Sequence, residues 1–462
     1  MTIEHEPPKR ARRSWWPPAA VATGSILVAG AGLLASTDLH GIPSIHGATS
    51  TVSTTPRGSE MRLADDDGSS GTATTNTASQ SLQGATRGSP ESRLIGVYRL
   101  LAEGRTQAAI DAAAALTRDV PTFRLAQLLY ADLLSARTGD PARVAAFTKS
   151  ADAATHGELS QLRDEAILRL RALQERPPVD QVPAEFIMLP RAVHHAIAVD
   201  TSRARLYLFH NTPQGLRLVS DHYVSVGKQG VDKTVEGDQR TPLGVYFVSD
   251  RMGGAALEKR FGAGALQLNY PNAFDRLRGR TGGGIYVHGV PENTYSRPPK
   301  DSDGCVVMAN DELVAMMNTI PIHDTPIVIT RNLHWTADNG TQVRRAEILD
   351  AVSHWQSVRA AGDNAALDGF YQTGARPAAP ATPVAALDTR RLPAGAKRAA
   401  PLPPDKLQFS ELSVLTWRDE RETMVVTFHE RATRTSHETV LRQYWERQPD
   451  MRWSIVAEGT VR

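Results

Sequence analysis

The sequence predicts a multidomain protein with an N-terminal anchor and disordered linker, an all-α helical-hairpin segment, a mostly-β domain and an α+β C-terminal domain. Three observations predict it. The 462 residues exceed the usual size of one domain. An uncharged apolar stretch and a polar tract open the chain, and the hydrophobic period changes from helical to alternating near Ala196. The net charge of +2 gives no strong field, so we expect no nucleic-acid partner.

The N-terminal 36 residues are typical of an export signal. A basic cluster precedes an apolar run from about Trp15 to Ala35, and the cluster comprises Lys9, Arg10, Arg12 and Arg13. About 20 apolar residues can span a bilayer, and the basic flank favours a cytoplasmic N-terminus. We therefore predict that residues 1–36 are an uncleaved signal anchor, or alternatively a cleaved signal peptide. Either way the body of the protein lies in the periplasm or cell envelope, and the anchor would hold it at the inner membrane.

Two segments follow before the strands begin. Residues 37–91 are rich in Ser, Thr, Gly and Asp, cannot bury a core, and are predicted to be a disordered linker. Residues 92–178 have a helical period, with helices expected over 94–103, 108–116, 123–136 and 159–173. We predict stacked helical hairpins that resemble tetratricopeptide repeats. Such a domain can mediate a homodimer, and packing without a partner is the alternative.

The region 190–331 is predicted to be mostly β. Short β-rich runs alternate with Gly and Pro turns, and they cover 197–199, 205–209, 216–219, 222–226, 244–248, 285–287 and 326–329. Helices are expected only over 258–261 and 311–317.

The C-terminal region 343–462 is predicted to be α+β. A helix over 344–359 and a short helix over 363–371 precede a Pro/Ala-rich loop over 373–405. Four strands are then expected over 409–417, 423–430, 435–445 and 452–456, which together would form a curved antiparallel sheet.

The single cysteine, Cys305, and His288 are the candidate catalytic pair. A thiol with a pKa of about 8.5 needs an activator, and a histidine within reach can take its proton and later return it to a leaving group. We expect the sulfur to be drawn into thiolate form beside the imidazole. A buried and inert cysteine is the alternative, because free cysteine also packs as a small hydrophobe.

Small residues flank the pair. Gly289 and Gly304 allow sharp turns, Ser302 lies in the same loop as the thiol, and the amides of Gly304 and Cys305 are candidates for binding an oxyanion.

The loop between His288 and Cys305 also carries charge. Arg297 and Lys300 are candidates for holding a substrate carboxylate, and solvated surface charge is the alternative for each. We expect no cofactor and no metal. His194 and His195 lack accompanying ligands, and the glycine run 282–284 precedes a strand rather than a helix.

These residues resemble the YkuD-type L,D-transpeptidase family. The resemblance covers about residues 190–331, and its separated motifs are Ala198-Val-Asp200, Leu206-Tyr-Leu-Phe209, Val224-Ser-Val-Gly-Lys228, Gly237-Asp-Gln-Arg-Thr-Pro-Leu-Gly244, Leu268-Asn-Tyr-Pro-Asn272, His288-Gly289 and Ser302-x-Gly304-Cys305. It implies a β-rich catalytic domain that acts on peptidoglycan stem peptides. Cys305 would attack the carbonyl of meso-diaminopimelate in a tetrapeptide and release the terminal D-alanine. Tyr270 and Asn272, from a shared motif, are assigned to substrate binding.

One departure affects the predicted activity. Val307 stands where many members of the family have arginine, which resembles a branch that includes L,D-carboxypeptidases. The C-terminal region resembles the NTF2-like domain of cell-shape-determining members of the family. The residues that carry this resemblance are Tyr444-Trp445 and Arg452-Trp453. Three functions remain open: an L,D-transpeptidase in cell-wall remodelling and cell shape, a carboxypeptidase that trims tetrapeptide to tripeptide, and a non-enzymatic wall-binding scaffold. The intact pair favours an enzyme, and we predict transpeptidase chemistry.

Overall fold

The computed structural model describes residues 88–138, 153–253, 257–337, 342–372, 407–418, 420–432 and 438–461. The predicted anchor, nearly all of the predicted linker and the predicted Pro/Ala-rich loop lie outside the described residues. Two compact units are present: one holds the described residues up to Pro121 together with Leu125–Ser160, and the other holds Thr122–Arg124 and Gln161–Arg462. Within the described part of the chain, none of the helices combines the length and apolar character that a bilayer crossing requires.

The N-terminal segment is helical, as predicted. Its helices are α1 (Pro90–Ala102), α2 (Thr106–Asp119), α3 (Arg124–Thr138) and α4 (Ala153–Gln174). Helix α1 starts where the sequence favours it, because the Ser89 side chain accepts a hydrogen bond from the Ser92 amide and Pro90 occupies the first turn. Helix α4 begins in the first unit and continues from Gln161 in the second. The tetratricopeptide-like assignment of this segment remains a prediction.

Among the described residues, seventeen strands follow, numbered in chain order. The strands up to Thr330 are β1 (Gln181–Pro183), β2 (Phe186–Met188), β3 (His195–Asp200), β4 (Arg205–Thr212), β5 (Gly215–Tyr223), β6 (Val226–Gly227), β7 (Gly244–Gly253), β8 (Gly264–Leu268), β9 (Tyr286–His288), β10 (Lys300–Ser302), β11 (Val306–Val307) and β12 (Pro326–Thr330). Two helices, α5 (Ala273–Leu277) and α6 (Asn310–Thr319), and a 3-10 turn (Lys259–Phe261) interrupt them. The region is therefore mostly β, as predicted.

Eight of these strands form one sheet in the order β11-β9-β8-β7-β12-β3-β4-β5. The β11–β9 and β12–β3 pairs are parallel and the other pairs are antiparallel. The runs over 216–219 and 222–226 were predicted as two strands, but β5 is continuous from Gly215 to Tyr223 at the sheet edge. Strand β8 was not predicted, because Gly264-Ala-Leu-Gln-Leu268 is short and begins on glycine.

Both faces of this sheet are buried. In β3, for example, Ile197 and Val199 pack on one side while Ala196 and Ala198 pack on the other. Helix α6 covers the first face with Leu313, Met316 and Met317. The second face packs against side chains of the C-terminal region, namely Leu415, Trp417, Val425 and Tyr444. Side chains alternate across a strand, so a doubly covered sheet needs apolar residues at successive positions.

The C-terminal region contains α7 (Gln342–Ala361), α8 (Asn364–Asp368), β13 (Trp335–Ala337), β14 (Leu407–Arg418), β15 (Glu422–Ala432), β16 (Glu438–Arg447) and β17 (Trp453–Val461). Its sheet has the order β17-β16-β15-β14-β2, and α7 packs Ile348, Val352 and Trp355 against it. Strand β2 was not predicted and comes from the chain before the catalytic region, while β1 pairs with β13. The region is β-rich; its assignment as an NTF2-like domain remains a prediction.

Trp417 lies in the core that the central sheet shares with the C-terminal region, and its replacement tests that packing. Its side chain is 4% exposed and its ring meets Phe274 of α5 edge to face, with 5.3 Å between the ring centroids. Replacing Trp417 by alanine should lower the free energy of unfolding by about 3–5 kcal/mol, because a large cavity would open between two packed layers. Urea unfolding followed by intrinsic fluorescence and circular dichroism measures this, and both signals should shift together. Val343→Ala, at an 86% exposed position, is the control and should change little.

Candidate active site

The parallel pairing of β9 and β11 places His288 and Cys305 on one face of the sheet. Val306 pairs with Val287, and Val307 pairs with His288, so Cys305 lies in register beside Tyr286. Paired residues of adjacent strands share a face and alternate along each strand. Cys305 and His288 therefore project from the same side, while Val287 and Val306 project into the core on the other side.

Three side chains border this pair. The ring of Phe261 meets the rings of His288 and Tyr286 edge to face, with centroids 5.0 Å and 5.3 Å away. The positive charges of Arg260 and Arg297 act on both Cys305 and His288. The sulfur and the imidazole thus share one electrostatic environment, which is what a nucleophile and its base require.

His288 is held as a neutral base. Its side chain is buried, and Nδ1 lies 2.7 Å from the carbonyl oxygen of Gly289. A carbonyl can only accept, so Nδ1 carries the proton and donates it, and Nε2 is the basic nitrogen. Burial lowers the pKa of His288 to about 4, and the bond to Gly289 opposes that shift only in part. At neutral pH the imidazole is free to accept a proton.

Cys305 rests as a thiol. It is half-buried, and its Sγ donates toward the carbonyl oxygen of Gly284 at 3.6 Å. Burial raises the pKa of Cys305, and a hydrogen bond from the Tyr286 backbone to the sulfur lowers it by less. Burial thus disfavours both a charged sulfur and a charged imidazole, so the pKa directions do not support the expected resting thiolate. The proton must move as the sulfur attacks.

Ser302 and Gly304 shape the turn that presents the thiol. The Ser302 hydroxyl donates to the Cys305 carbonyl at 2.6 Å and accepts from the Gly304 amide at 3.1 Å. Gly304 has φ +125°, and a Cβ there would lie 2.8 Å from the carbonyl oxygen of Arg240. Only glycine fits this position without strain. The Gly304 amide is occupied by Ser302, so its predicted part in an oxyanion site is not supported, while that of the Cys305 amide remains a prediction.

Asn310 fixes the turn at Gly289, whose carbonyl oxygen accepts the hydrogen bond from His288. A Cβ on Gly289 would lie 2.1 Å from the Asn310 side-chain oxygen. That oxygen accepts from the amides of Ala263 and Val290, and the Asn310 amide nitrogen donates to the Val290 carbonyl. Asn310 thereby fixes the turn whose carbonyl binds Nδ1 of His288. The sequence did not reveal this role, because an asparagine at the start of a helix is common.

Tyr270 and Asn272 are buried, and their assignment to substrate binding remains a prediction. Tyr270 belongs to the core, and its hydroxyl donates to the Thr281 carbonyl. Asn272 caps helix α5, with its side-chain oxygen accepting from Phe274 and Asp275. Burial raises the pKa of Asp275 to about 6, although a hydrogen bond from the backbone N–H of Asn272 to the carboxyl group lowers it in part. The hydrogen bonds of both side chains are thus made within the protein.

Arg297 and Lys300 differ in position. Arg297 Nη1 donates to the Asp301 carbonyl at 3.0 Å, and the Arg297 side chain lines a narrow cleft together with Val307. Lys300 begins β10, which pairs with β6, and it is exposed without lining that cleft. The structure thus brings Arg297 to the catalytic pair, while a role for Lys300 remains a prediction.

Metal ligands do not cluster in the described part of the chain. Across the described residues, no group of three or more His, Cys, Asp or Glu side chains has the arrangement to hold a metal ion. The rings of His195 and His210 stack with centroids 5.1 Å apart on neighbouring strands.

Comparison with known proteins identifies the central domain. Residues 194–329 match the model of the YkuD family, described as the L,D-transpeptidase catalytic domain, so this part of the chain is a domain of that family. Among curated proteins, none matches this chain.

Three solved structures are similar at low identity. Bd1075 of Bdellovibrio bacteriovorus is 21% identical over 61% of this chain and 98% of its own, with a TM-score of 0.48. The helical cell shape determining protein Pgp2 of Campylobacter jejuni is 18% identical over 57% of this chain and 91% of its own, with a TM-score of 0.44. An L,D-transpeptidase from Mycobacterium smegmatis is 14% identical over 30% of this chain and 58% of its own, with a TM-score of 0.21.

The resting protonation of the pair predicts how Cys305 reacts with iodoacetamide. Because burial raises the thiol pKa above its ordinary value of about 8.5, the thiolate fraction should rise about tenfold per pH unit from pH 6 to 8. The alkylation rate should follow it, without a plateau below pH 8.5. Intact-mass measurement from pH 5 to 10 tests this, and Cys305→Ala is the blank because the chain has no other cysteine. A rate that is flat between pH 5 and 7 would indicate a resting thiolate–imidazolium pair instead.

Asn310→Ala tests the support of His288. It leaves the Ala263 and Val290 amides without their acceptor, so the free energy of unfolding should fall by about 1–3 kcal/mol. The Nδ1-protonated tautomer of His288, read from 15N chemical shifts, should lose its preference. Asn310→Asp keeps the acceptor oxygen and should retain most of both properties. An alanine variant with an unchanged tautomer would show that Asn310 does not act on His288.

Proposed function

We propose that this protein is a cysteine-dependent acyltransferase that acts on peptidoglycan stem peptides by L,D-transpeptidase chemistry. The observation that carries the proposal is the placement of Cys305 and His288 on one face of the β9–β11 pair, with Nε2 as the basic nitrogen. The match of residues 194–329 to the YkuD catalytic domain supports the same chemistry and the same class of substrate.

The first half-reaction forms a thioester. Cys305 Sγ attacks the carbonyl carbon of meso-diaminopimelate, and the thiol proton passes to Nε2 of His288. The tetrahedral intermediate carries its negative charge on the former carbonyl oxygen. It collapses as the bond to the D-alanine nitrogen breaks and His288 returns the proton to that nitrogen. The products are the acyl-enzyme and free D-alanine.

The second half-reaction transfers the acyl group. An amine of another stem, or water, attacks the thioester carbonyl and gives its proton to Nε2 of His288. The C–S bond then breaks, and the proton returns to Sγ. The Gly289 carbonyl holds Nδ1 through both halves, so the same nitrogen serves as base and as acid in turn.

A hydrolase that trims tetrapeptide to tripeptide is the second candidate. Val307, in place of the arginine of many family members, favours it, because this side chain is buried beside His288 and contributes no charge to the cleft. The export signal predicted for residues 1–36 supports a location in the cell envelope. A membrane tether, a role in cell shape and a homodimer through the helical domain belong to the same proposal. A non-enzymatic scaffold fits poorly, since the hydrogen bond from Nδ1 of His288 to the Gly289 carbonyl leaves Nε2 as the basic nitrogen.

Incubation of the purified chain with disaccharide tetrapeptide, followed by mass spectrometry, tests the proposal. Stem dimers support transfer, and tripeptide alone supports the hydrolase. Cys305→Ala should abolish both, and His288→Ala should slow acylation by about 10²–10⁴-fold because the base is lost. His354→Ala is the matched control, since this exposed histidine lies in the C-terminal region, where its ring contacts Phe370 at a tilt. Product formation that survives Cys305→Ala would overturn the proposal.

A further inference from the structure

The loop 289–304, which joins the base to the nucleophile, is held by side chains from outside the matched catalytic domain. Phe123 comes directly before helix α3, and Glu165 lies on helix α4. Both precede residue 194, where the match to the family model begins. Both belong, together with the loop, to the second compact unit. The active-site loop therefore depends on chain that the family match does not include.

Tyr295 anchors the middle of this loop. Its side chain is buried, while the residues on either side of it are more exposed. Its ring meets the Phe123 ring with 4.4 Å between the centroids, and its amide donates to the Thr122 carbonyl at 3.2 Å. An aromatic pair contributes more than the area that it buries. The turn before α3 thus holds the loop through a ring and through the backbone.

Glu165 holds the next residue of the loop. The Ser296 hydroxyl donates to Oε1 of Glu165 at 2.8 Å. Nε and Nη2 of Arg169 donate to the same oxygen, at 3.0 Å and 2.9 Å, and both charged side chains are buried. A buried carboxylate needs charged or polar partners of this kind, because it has lost its water. Glu165 therefore presents a fixed acceptor to Ser296.

Arg169 connects these contacts to the end of the loop. Its guanidinium carbon lies 5.4 Å from the centroid of the Phe123 ring and 3.9 Å from that of the Tyr223 ring. The Tyr223 hydroxyl donates to the Arg297 carbonyl at 3.0 Å. The attraction between a guanidinium and a ring is stronger when both are desolvated. A continuous set of contacts thus runs from the middle of the loop to Arg297.

Arg297 is the residue through which the loop acts on the catalytic pair. Its side chain lines a narrow cleft together with Val307, the strand partner of His288. Its Nη1 donates to the carbonyl of Asp301, a neutral group that leaves the positive charge uncancelled. That charge acts on both Cys305 and His288. A positive charge held there stabilises the negative charge that develops on the sulfur and on a substrate oxygen.

We propose that Phe123 and Glu165 position the loop 289–304, so that the Arg297 guanidinium stays beside the catalytic pair. The inference rests on the proposed function and states what keeps the site of that reaction assembled. Phe123 and Glu165 are positioning residues, which act through Tyr295 and Ser296. The helical segment then takes part in the reaction in addition to packing.

The pH dependence of alkylation reports the position of Arg297. The charged or titratable groups around the Cys305 sulfur are Arg260, Arg297, Asp303, Tyr286 and His288. Rates with iodoacetamide are measured in rapid pH jumps to about pH 11, so that the midpoint of the profile is reached. Arg297→Gln should raise this midpoint by about 0.3–1 pH unit, because a positive charge near the sulfur is lost.

Tyr295→Ala should raise the midpoint by a similar amount, because the loop that carries Arg297 loses its anchor. The double variant Tyr295→Ala/Arg297→Gln should shift no further than Arg297→Gln alone, since both changes remove the same charge. Ser296→Ala removes only the bond to Glu165 and should shift the midpoint in the same direction, which provides a milder variant if Tyr295→Ala does not fold.

Two controls separate positioning from stability. Tyr295→Phe keeps the ring against Phe123 and should retain the wild-type midpoint. Trp417→Ala opens a cavity in the other core and should lower stability without moving the midpoint. An unchanged midpoint in both Tyr295→Ala and Ser296→Ala would overturn the inference. A downward shift would also overturn it, because the loop would then only exclude water, and so would additive shifts in the double variant.

Turnover distinguishes this inference from the proposed function. With disaccharide tetrapeptide, Tyr295→Ala should lower kcat by about twofold to tenfold, the equivalent of the expected shift in midpoint, and change KM by less than about twofold. A loss carried by KM alone would assign the loop to substrate contact and overturn the inference. Absence of turnover by the wild-type protein would overturn the proposed function, and the alkylation midpoints would still decide the inference.

Discussion

The register between two short strands is the constraint on which the site depends. Cys305 and His288 share a face only because Val307 pairs with His288, and a slip of one residue would turn one of the two side chains into the core. Strands β9 and β11 are three and two residues long, so they cannot hold a register by themselves. The Ser302 turn before β11 and the Asn310 contacts after β9 fix it from both ends.

The electrostatics of the site favour a neutral resting state that becomes charged only with substrate. Burial disfavours the ionised form of both Cys305 and His288, while Arg260 and Arg297 surround them with positive charge. Such a field opposes an imidazolium at rest and favours negative charge on the sulfur or on a substrate oxygen as it develops. The guanidinium groups of Arg260 and Arg297 therefore favour negative charge both on the sulfur and on an anionic substrate.

The sequence revealed the parts of the site that local pattern encodes. Cys305 was distinctive as the sole thiol, and His288 followed an apolar strand and preceded a glycine. Most strands of the central sheet were predictable because short β-rich runs are separated by Gly and Pro turns. Long-range contacts were not: strand β2 joins a sheet more than 200 residues later in the chain, and Arg169 approaches Tyr223 from a helix. Tyr270 and Asn272 belonged to a recognisable motif, yet their hydrogen bonds are internal, which no local pattern reports.

Strand pairing fastens both ends of the region 190–331. Strand β1 pairs antiparallel with β13, and β2 pairs antiparallel with β14, so the chain is tied down on entering and on leaving. A force that pulls apart the chain segments on either side of residues 190–331 loads these two ladders directly. Strands β9 and β11 lie between the fastened ends and are loaded only after the ladders separate. The register of the candidate catalytic pair is therefore protected while the flanking segments are under tension.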